Sequence, residues 1–358
     1  MTLAALDIPA GVDGPGLQGE PRDEYRDEQG DGRRGAAPAP DQEISASPRG
    51  FHRPVMVQEA LHGLDPTPHG VYLDATLGEG GHSLDLLDAT SPDGRVVGLD
   101  RDPRSVDQAT RRLSGYGRRF TGVKANYTEM VGVCRDHGIE KVDGVLMDLG
   151  FSSRQIEEPG YGFSFQGDEP LDMRYDPEQD LTAEEIVNSY PEDELAGIIY
   201  RYGEERRSRA IARAIVRDRP IKTTQRLAHA VAGALGQGRR GRGKQGIHPA
   251  TRTFQALRIE VNGELDHLAA GLDEAVNLLA PQGRLVVIAY HSLEDRIVKS
   301  TLALEAADCI CPPRTPVCVC GHQPRTRNVS RRVIKPSPQE TEDNPRSRSA
   351  RMRVAERL

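Results

Sequence analysis

A chain of 358 residues with a net charge of −7 is long enough for one large domain with an insertion, or for two domains, and can bury a core without disulfide staples. It contains no run of about 18 apolar residues, the signature of a transmembrane helix, and positions 1–9 lack the basic start and apolar run of a signal peptide, so a cytoplasmic protein without a membrane partner is expected. Five cysteines, four of them between Cys309 and Cys320, do not make the even, spread pattern of a secreted disulfide framework.

Residues 1–50 are rich in Gly, Pro, Asp and Glu and nearly free of aromatic and β-branched residues. Such a segment cannot bury enough surface to offset the entropy of ordering, and it reads as a disordered extension. A short amphipathic helix follows over 57–64. Apolar runs ending in Gly or Asp then predict strands at 70–74, 95–100, 120–125 and 142–148, separated by helical stretches such as 82–89 and 103–113. Their continuous apolar character suits parallel strands covered on both faces. After Ser153 the rhythm breaks: 159–180 is rich in Gly, Pro and Asp, and 183–235 reads as several helices. It resumes with a helix over 265–280, a strand over 284–290 and a helix over 293–305. The fold class is therefore α/β, a Rossmann-like, doubly wound and mostly parallel sheet built from 51–157 and 265–358, with an inserted helical domain at 158–264. The closing stretch 350–356 alternates apolar and basic residues, as an edge strand would.

The net charge hides two basic segments. Positions 201–260 hold fifteen Arg or Lys against four acids, and positions 321–358 ten against four. In an acidic chain this resembles a polyanion footprint; the competing reading is a set of solvated helix faces.

In open α/β sheets ligands bind beyond the carboxyl ends of the strands, and Asp74, Asp100 and Asp148 occupy three such ends. Gly78-Glu79-Gly80-Gly81-His82 follows the first, and its glycines permit a tight turn close to a ligand. Asp100, twenty residues after Gly80, is placed to accept from two ribose hydroxyls. The third glycine of the dinucleotide pattern G-x-G-x-x-G is missing, and Glu79 would repel phosphates. S-adenosylmethionine is thus favoured over a nicotinamide dinucleotide, with glycines serving only the turn as the alternative. At the fourth strand end, Asp148-Leu149-Gly150-Phe151 suits an exocyclic amine acceptor. The lone pair of an aromatic amine is delocalised into the ring, so an acceptor must hold its hydrogens as nitrogen becomes tetrahedral. Asp148 is the catalytic candidate and Phe151 a stacking platform; Asp148 serving only as a cofactor contact or a helix cap is the alternative.

Nine ordered motifs extend this pattern: His52-Arg53-Pro54-Val55-Met56; Asp74 to Ser83; Leu99-Asp100-Arg101-Asp102; Asp148 to Gln155; Gly160 to Phe165 with Leu171-Asp172-Met173-Arg174; Tyr202-Gly203-Glu204-Glu205; His248 to Arg258; His291 to Arg296; and Asn344 to Ser349. Together they resemble the MraW/RsmH family of small-subunit ribosomal RNA cytosine-N4 methyltransferases, from about Phe51 to Leu358. The resemblance implies S-adenosylmethionine-dependent N4 methylation of a cytidine in the decoding region of 16S ribosomal RNA, with that RNA or the 30S particle as partner. By position it implies cofactor contacts at Gly80, Gly81, His82, Asp100, Tyr127, Asp148 and Gln155. Arg252 and Arg258, on a predicted helix, suit phosphate contact, with Phe254 packing nearby. His291 reads as a pocket wall, since amine methylation needs no strong base. Cys309, Cys311, Cys318 and Cys320 offer four thiols within twelve residues, enough for a tetrahedral zinc site. Their spacing is C-x-C twice, not the usual C-x-x-C, and four reduced thiols in a surface excursion are the alternative. Two other functions compete: a ribosome-assembly factor that binds RNA without catalysis, and an NAD-dependent oxidoreductase.

Overall fold

The computed structural model describes residues 53–236, 248–312, 315, 317–330 and 332–358. The amino-terminal extension, and Arg239, Arg240, Arg242 and Lys244 of the basic stretch, lie outside the described residues. Seven strands form one sheet: β1 (Val71–Asp74), β2 (Arg95–Asp100), β3 (Phe120–Lys124), β4 (Val142–Asp148), β5 (Leu279–Ala289), β6 (Thr326–Asn328) and β7 (Arg351–Arg357). Their order is β3-β2-β1-β4-β5-β7-β6. The first five are parallel, and β7 runs antiparallel to both β5 and β6. This is the Rossmann-like, doubly wound and mostly parallel sheet expected from the sequence.

Helices α1 (Val57–Leu64), α2 (Gly81–Ala89), α3 (Pro103–Arg112) and α4 (Met130–Asp136) belong to the first half. Because side chains alternate along a strand, Tyr72, Leu146 and Val286 face α1 to α3. Their neighbours Leu73, Met147 and Val287 face α4 and two later helices, α11 (Glu264–Leu278) and α12 (Ser292–Glu305). Both faces are buried, which is why the strands lack polar alternation. Local chemistry sets the helix starts: Pro103 opens α3 and the Asp102 carboxylate caps it by accepting from the Arg104 N–H at 3.0 Å.

Between β4 and β5 the chain leaves the sheet through α5 (Ser153–Glu157), α6 (Ala183–Ser189), α7 (Glu192–Gly203), α8 (Ser208–Asp218), α9 (Thr224–Ala234) and α10 (Thr251–Asn262). Helices α6 to α10 bury a core of their own, with Ile186, Ile198, Ile211, Leu227 and Leu257 fully enclosed. A last short helix, α13 (Pro338–Asp343), precedes β7. No helix among the described residues is long and apolar enough to cross a membrane.

The closing strand departs from expectation. β7 is an inner strand, and three-residue β6 forms the edge. Its basic residues suggested solvent, yet Arg351 and Arg353 lie 3.2 and 2.7 Å from the Asp295 carboxylate of α12, while Met352 and Val354 pack into the core.

Helices α7 and α10 meet at Gly203, where an added Cβ would lie 2.7 Å from the Arg252 carbonyl oxygen. Alanine ordinarily stabilises a helix by about 1 kcal/mol over glycine. Here overpacking should reverse the sign, and Gly203→Ala is expected to lower unfolding stability by about 1–2 kcal/mol net. Urea denaturation checks this; a raised midpoint would show that the two helices separate at no cost.

Candidate active site

The strand order reverses between β1 and β4, and the cavity lies beyond the carboxyl ends of β1, β2 and β4. It is lined by Thr76, Asp100, Tyr127, Asp148, Gln155 and Tyr290, among others. Asp100 accepts hydrogen bonds from the Gly78 N–H at 2.8 Å and the Asp102 N–H at 2.9 Å, so it ties the glycine turn to the end of β2. Burial pushes its carboxyl up to about 6. Asp74, wholly enclosed, accepts from the Ser83 hydroxyl at 2.7 Å, and burial raises its carboxyl too.

The glycine turn has an internal reason for its composition. A Cβ on Gly81 would lie 2.3 Å from the Pro54 ring, and one on Gly80, whose φ is +75°, would lie 3.1 Å from Ala109 and Leu113 of α3. The glycines are therefore needed for close packing of the protein on itself, in addition to the tight turn beside the cavity.

His82 begins α2 and is buried, with Nε2 3.4 Å from Asp148 Oδ2 and no hydrogen-bond partner of its own. Burial opposes its protonation, but the carboxylates of Asp148, Asp74 and Asp85 outweigh that and raise the imidazole above its ordinary value. The other oxygen of Asp148 accepts from the Tyr290 hydroxyl at 2.7 Å, and its backbone N–H donates to Thr76 Oγ1 at 2.7 Å. Tyr290 was not singled out by sequence reasoning. It follows β5, the neighbour of β4, so the strand-end logic that found Asp148 pointed to it as well. Burial holds its phenol far above the usual range, keeping it a donor.

Gln155 is buried and closes a capping box on α5: its side-chain oxygen accepts from the Ser152 N–H at 2.9 Å, and the Ser152 hydroxyl accepts from the Gln155 N–H at 3.3 Å. The Tyr127 ring occupies space that a side chain at Gly271 of α11 would take, since a Cβ there would come within 2.4 Å.

Two further hollows adjoin the cavity. One, reached past Thr76, Asp148 and Ser152, is walled by Arg53 and Pro54 on one side and Asn344 to Arg346 on the other, with Gly81 and His82 at its base. The Met56 N–H donates to the Glu340 carboxylate at 3.1 Å, and the Asn344 amide to the Arg53 carbonyl at 3.3 Å, joining these segments. The second hollow, reached past Gly150, Phe151 and Tyr290, is lined by Phe163, Phe165, Phe254 and His291. Phe151 is 38% exposed and stacks on Phe163 with ring centres 5.7 Å apart.

Arg258 corrects an expectation. It is buried and forms a two-pronged pair with Glu264, both bonds 2.8 Å, while its guanidinium lies 4.7 Å above the Phe151 ring. Burial works against its charge, Glu264 outweighs that, and the group stays ionised. With two of its three nitrogens on Glu264 and the residue buried, it is a structural ion-pair partner and not an exposed phosphate contact. Arg252, on the same helix, is exposed and 3.6 Å from Glu205. Glu264, His291 and Glu294 place ligand atoms within 4.8 Å of one another, as a metal site would. Both oxygens of Glu264 are engaged by Arg258 and Tyr175, and Oε2 of Glu294 by the N–H groups of Tyr290 and His291, while its Oε1 lies 3.1 Å from His291 Nε2. The His291 contact and the Arg258 charge overcome burial and hold the Glu294 carboxyl below its ordinary range.

The model of the MraW methylase family matches residues 49–358, the whole of the sheet, the cavity and the helical insertion. The chain belongs to the MraW methylase family. A relative from Dehalococcoides mccartyi is 52% identical over 307 residues, covering 86% of each chain. Others from Thermomicrobium roseum and Geobacter sulfurreducens are 50% and 49% identical over 310 residues, covering 86% of this chain and 94% and 99% of theirs. All three carry the name ribosomal RNA small subunit methyltransferase H. The MraW resemblance drawn from the nine motifs therefore holds.

Glu264→Ala would leave Arg258 charged and unpaired inside the protein, and it should cost about 3–5 kcal/mol of unfolding stability. The double change Arg258→Met with Glu264→Leu should regain most of that. Urea denaturation of the three chains decides; a double variant as unstable as the single would remove the ion pair as the cause.

Proposed function

We propose that this chain transfers a methyl group from S-adenosylmethionine to N4 of a cytidine in the decoding region of small-subunit ribosomal RNA, free or within the 30S particle. The observation that carries the reading is the Asp148 carboxylate on the wall of the strand-end cavity, between His82 and the hydroxyl of Tyr290, a residue that also lines the aromatic hollow.

The cavity residues fit the cofactor. Asp100 would hold the ribose hydroxyls, Tyr127 and Gln155 would bound the base, and Gly80, Gly81, His82 and Asp148 would border the amino-acid end. The buried His82 Nε2 has Asp148 Oδ2 at 3.4 Å and no hydrogen-bonded partner, and would donate to a polar group placed there. The Gly78 N–H is already spent on Asp100, and Glu79 lies beside it. A pyrophosphate would meet negative charge at this turn, which favours a cofactor without phosphates. Bound S-adenosylmethionine supplies an electrophilic methyl group on a sulfonium.

The protein's own groups position the acceptor. Asp148 accepts the hydrogens of the exocyclic amine and so favours the tetrahedral nitrogen, and the Tyr290 hydroxyl keeps that carboxylate turned toward it. Phe151, held by ring contacts with Phe163 and Arg258 and 38% exposed, would meet the base with the exposed part of its ring. The amine proton leaves after transfer, when nitrogen is cationic and acidic, so no buried base is required. The basic helical insertion, with Arg252 exposed, would follow the phosphates.

A mass-spectrometric map of small-subunit RNA tests the reading. Cells lacking the protein should lose one N4-methylated cytidine, and an unchanged map would end the proposal. In purified protein, Asp148→Ala should lower kcat/KM by roughly 100-fold, and Tyr290→Phe by roughly tenfold, the equivalent of one hydrogen bond to a charged group.

Asp100 makes the reading pH-dependent. Its carboxyl titrates at about 6 in the fold against 3.8 when free, so its ionisation costs stability as pH rises through that window. Ribose hydroxyls donate best to the ionised form. Cofactor affinity should hold above pH of about 6 and decline below it, while Asp100→Asn should bind weakly with a flatter profile. Calorimetry across this range checks it; a wild-type profile as flat as that of the variant would remove Asp100 from the ribose site.

A further inference from the structure

Between the end of α12 and the start of β6 the chain makes an excursion that the methyl-transfer reading does not use. It carries Cys309-Ile310-Cys311 and, after six residues, Cys318-Val319-Cys320. Little apolar burial holds its described residues: Ile310 is 47% exposed, Val317 72% and Val319 82%. The four sulfurs nevertheless converge. Cys318 Sγ lies 3.4 Å from that of Cys309, 3.5 Å from that of Cys320 and 4.0 Å from that of Cys311, and Cys309 and Cys320 are 3.8 Å apart. All four fall within 4.8 Å of one another.

These separations select among the states available to four thiols. Zinc bonded to four sulfurs at about 2.3 Å puts them at the corners of a tetrahedron with edges of about 3.8 Å, and the observed values scatter around that length. Disulfides would join the sulfurs in pairs at about 2.05 Å, whereas Cys318 is near-equidistant from three partners. Backbone N–H groups also point at the sulfurs: Ile310 to Cys320 at 3.5 Å, Cys311 to Cys309 at 3.4 Å and Val319 to Cys311 at 3.4 Å. Donors so arranged stabilise thiolates and orient them as ligands. His322 is nearby, but its Nε2 is engaged with the Leu304 carbonyl at 3.0 Å, which leaves four sulfurs as the donor set.

We propose that Cys309, Cys311, Cys318 and Cys320 form a closed, structural zinc site. The thiols give up their protons as the metal binds, and no ligand position stays open for chemistry. The metal takes the place of the missing core, pinning the excursion where the Arg325 pair with Glu305 fastens its far end to α12.

The full chain, purified under reducing conditions with zinc supplied and then gel-filtered, should hold one zinc per molecule by elemental analysis. X-ray absorption should show sulfur-only coordination, and cobalt in its place should give the intense visible bands of a tetrahedral thiolate complex. Cys318→Ser with Cys320→Ser should reduce retained zinc at least tenfold while leaving S-adenosylmethionine binding unchanged. Limited proteolysis should cut the zinc-free excursion faster than the loaded one. A chain that retains no zinc, a metal bound through nitrogen or oxygen, retention unchanged in the double variant, or two disulfides found under native conditions would each overturn the proposal. The spectroscopy uses the unaltered protein, so the outcome does not depend on the variant folding.

Discussion

The Arg258–Glu264 pair joins the last helix of the insertion to the first helix of the returning core, and the cavity depends on it. Burying a guanidinium and a carboxylate is costly unless each satisfies the other, so the two helices are held to the geometry that keeps both bonds at 2.8 Å. The consequences spread outward. Arg258 lies over Phe151, Tyr175 donates to Glu264, and Asn262, one turn beyond Arg258, binds the backbone of Tyr175 and Met173. Arg101 at the end of β2 completes the seam through Asn262 and Gln179. The insertion is thereby part of the cavity wall.

Three carboxylates with the same strand-end origin have been given different environments. Asp74 is sealed under the turn and braces Ser83; Asp100 spends two lone pairs on backbone N–H groups and keeps others toward the cavity; Asp148 stays partly exposed between a phenol and an imidazole. Burial raises the carboxyls of Asp74 and Asp100, and the backbone donors at Asp100 work against it.

Much of this was legible in the sequence because it is periodic or terminal. Apolar runs ending in Asp revealed strands and their functional ends together, and the return of a strand at 284–290 exposed the insertion. What escaped depends on partners distant in the chain. Arg258 between Leu257 and Ile259 reads as a surface cation until Glu264 folds back on it. Arg351 and Arg353 suggested an edge because Asp295 lies 56 and 58 positions away. The packing of Gly81 against Pro54 escaped because nothing in the local pattern announces it. Tyr290 was within reach of the strand-end rule, which was applied to carboxylates alone.

The walls of the hollow beside Gly81 come from residues 53–56 and 340–346, clasped together by Glu340 and Asn344. The clasping partners lie 284 and 291 positions apart in the chain. No local interaction could bring such segments together, so closure of this wall is a property of the whole folded sheet and not of any single element.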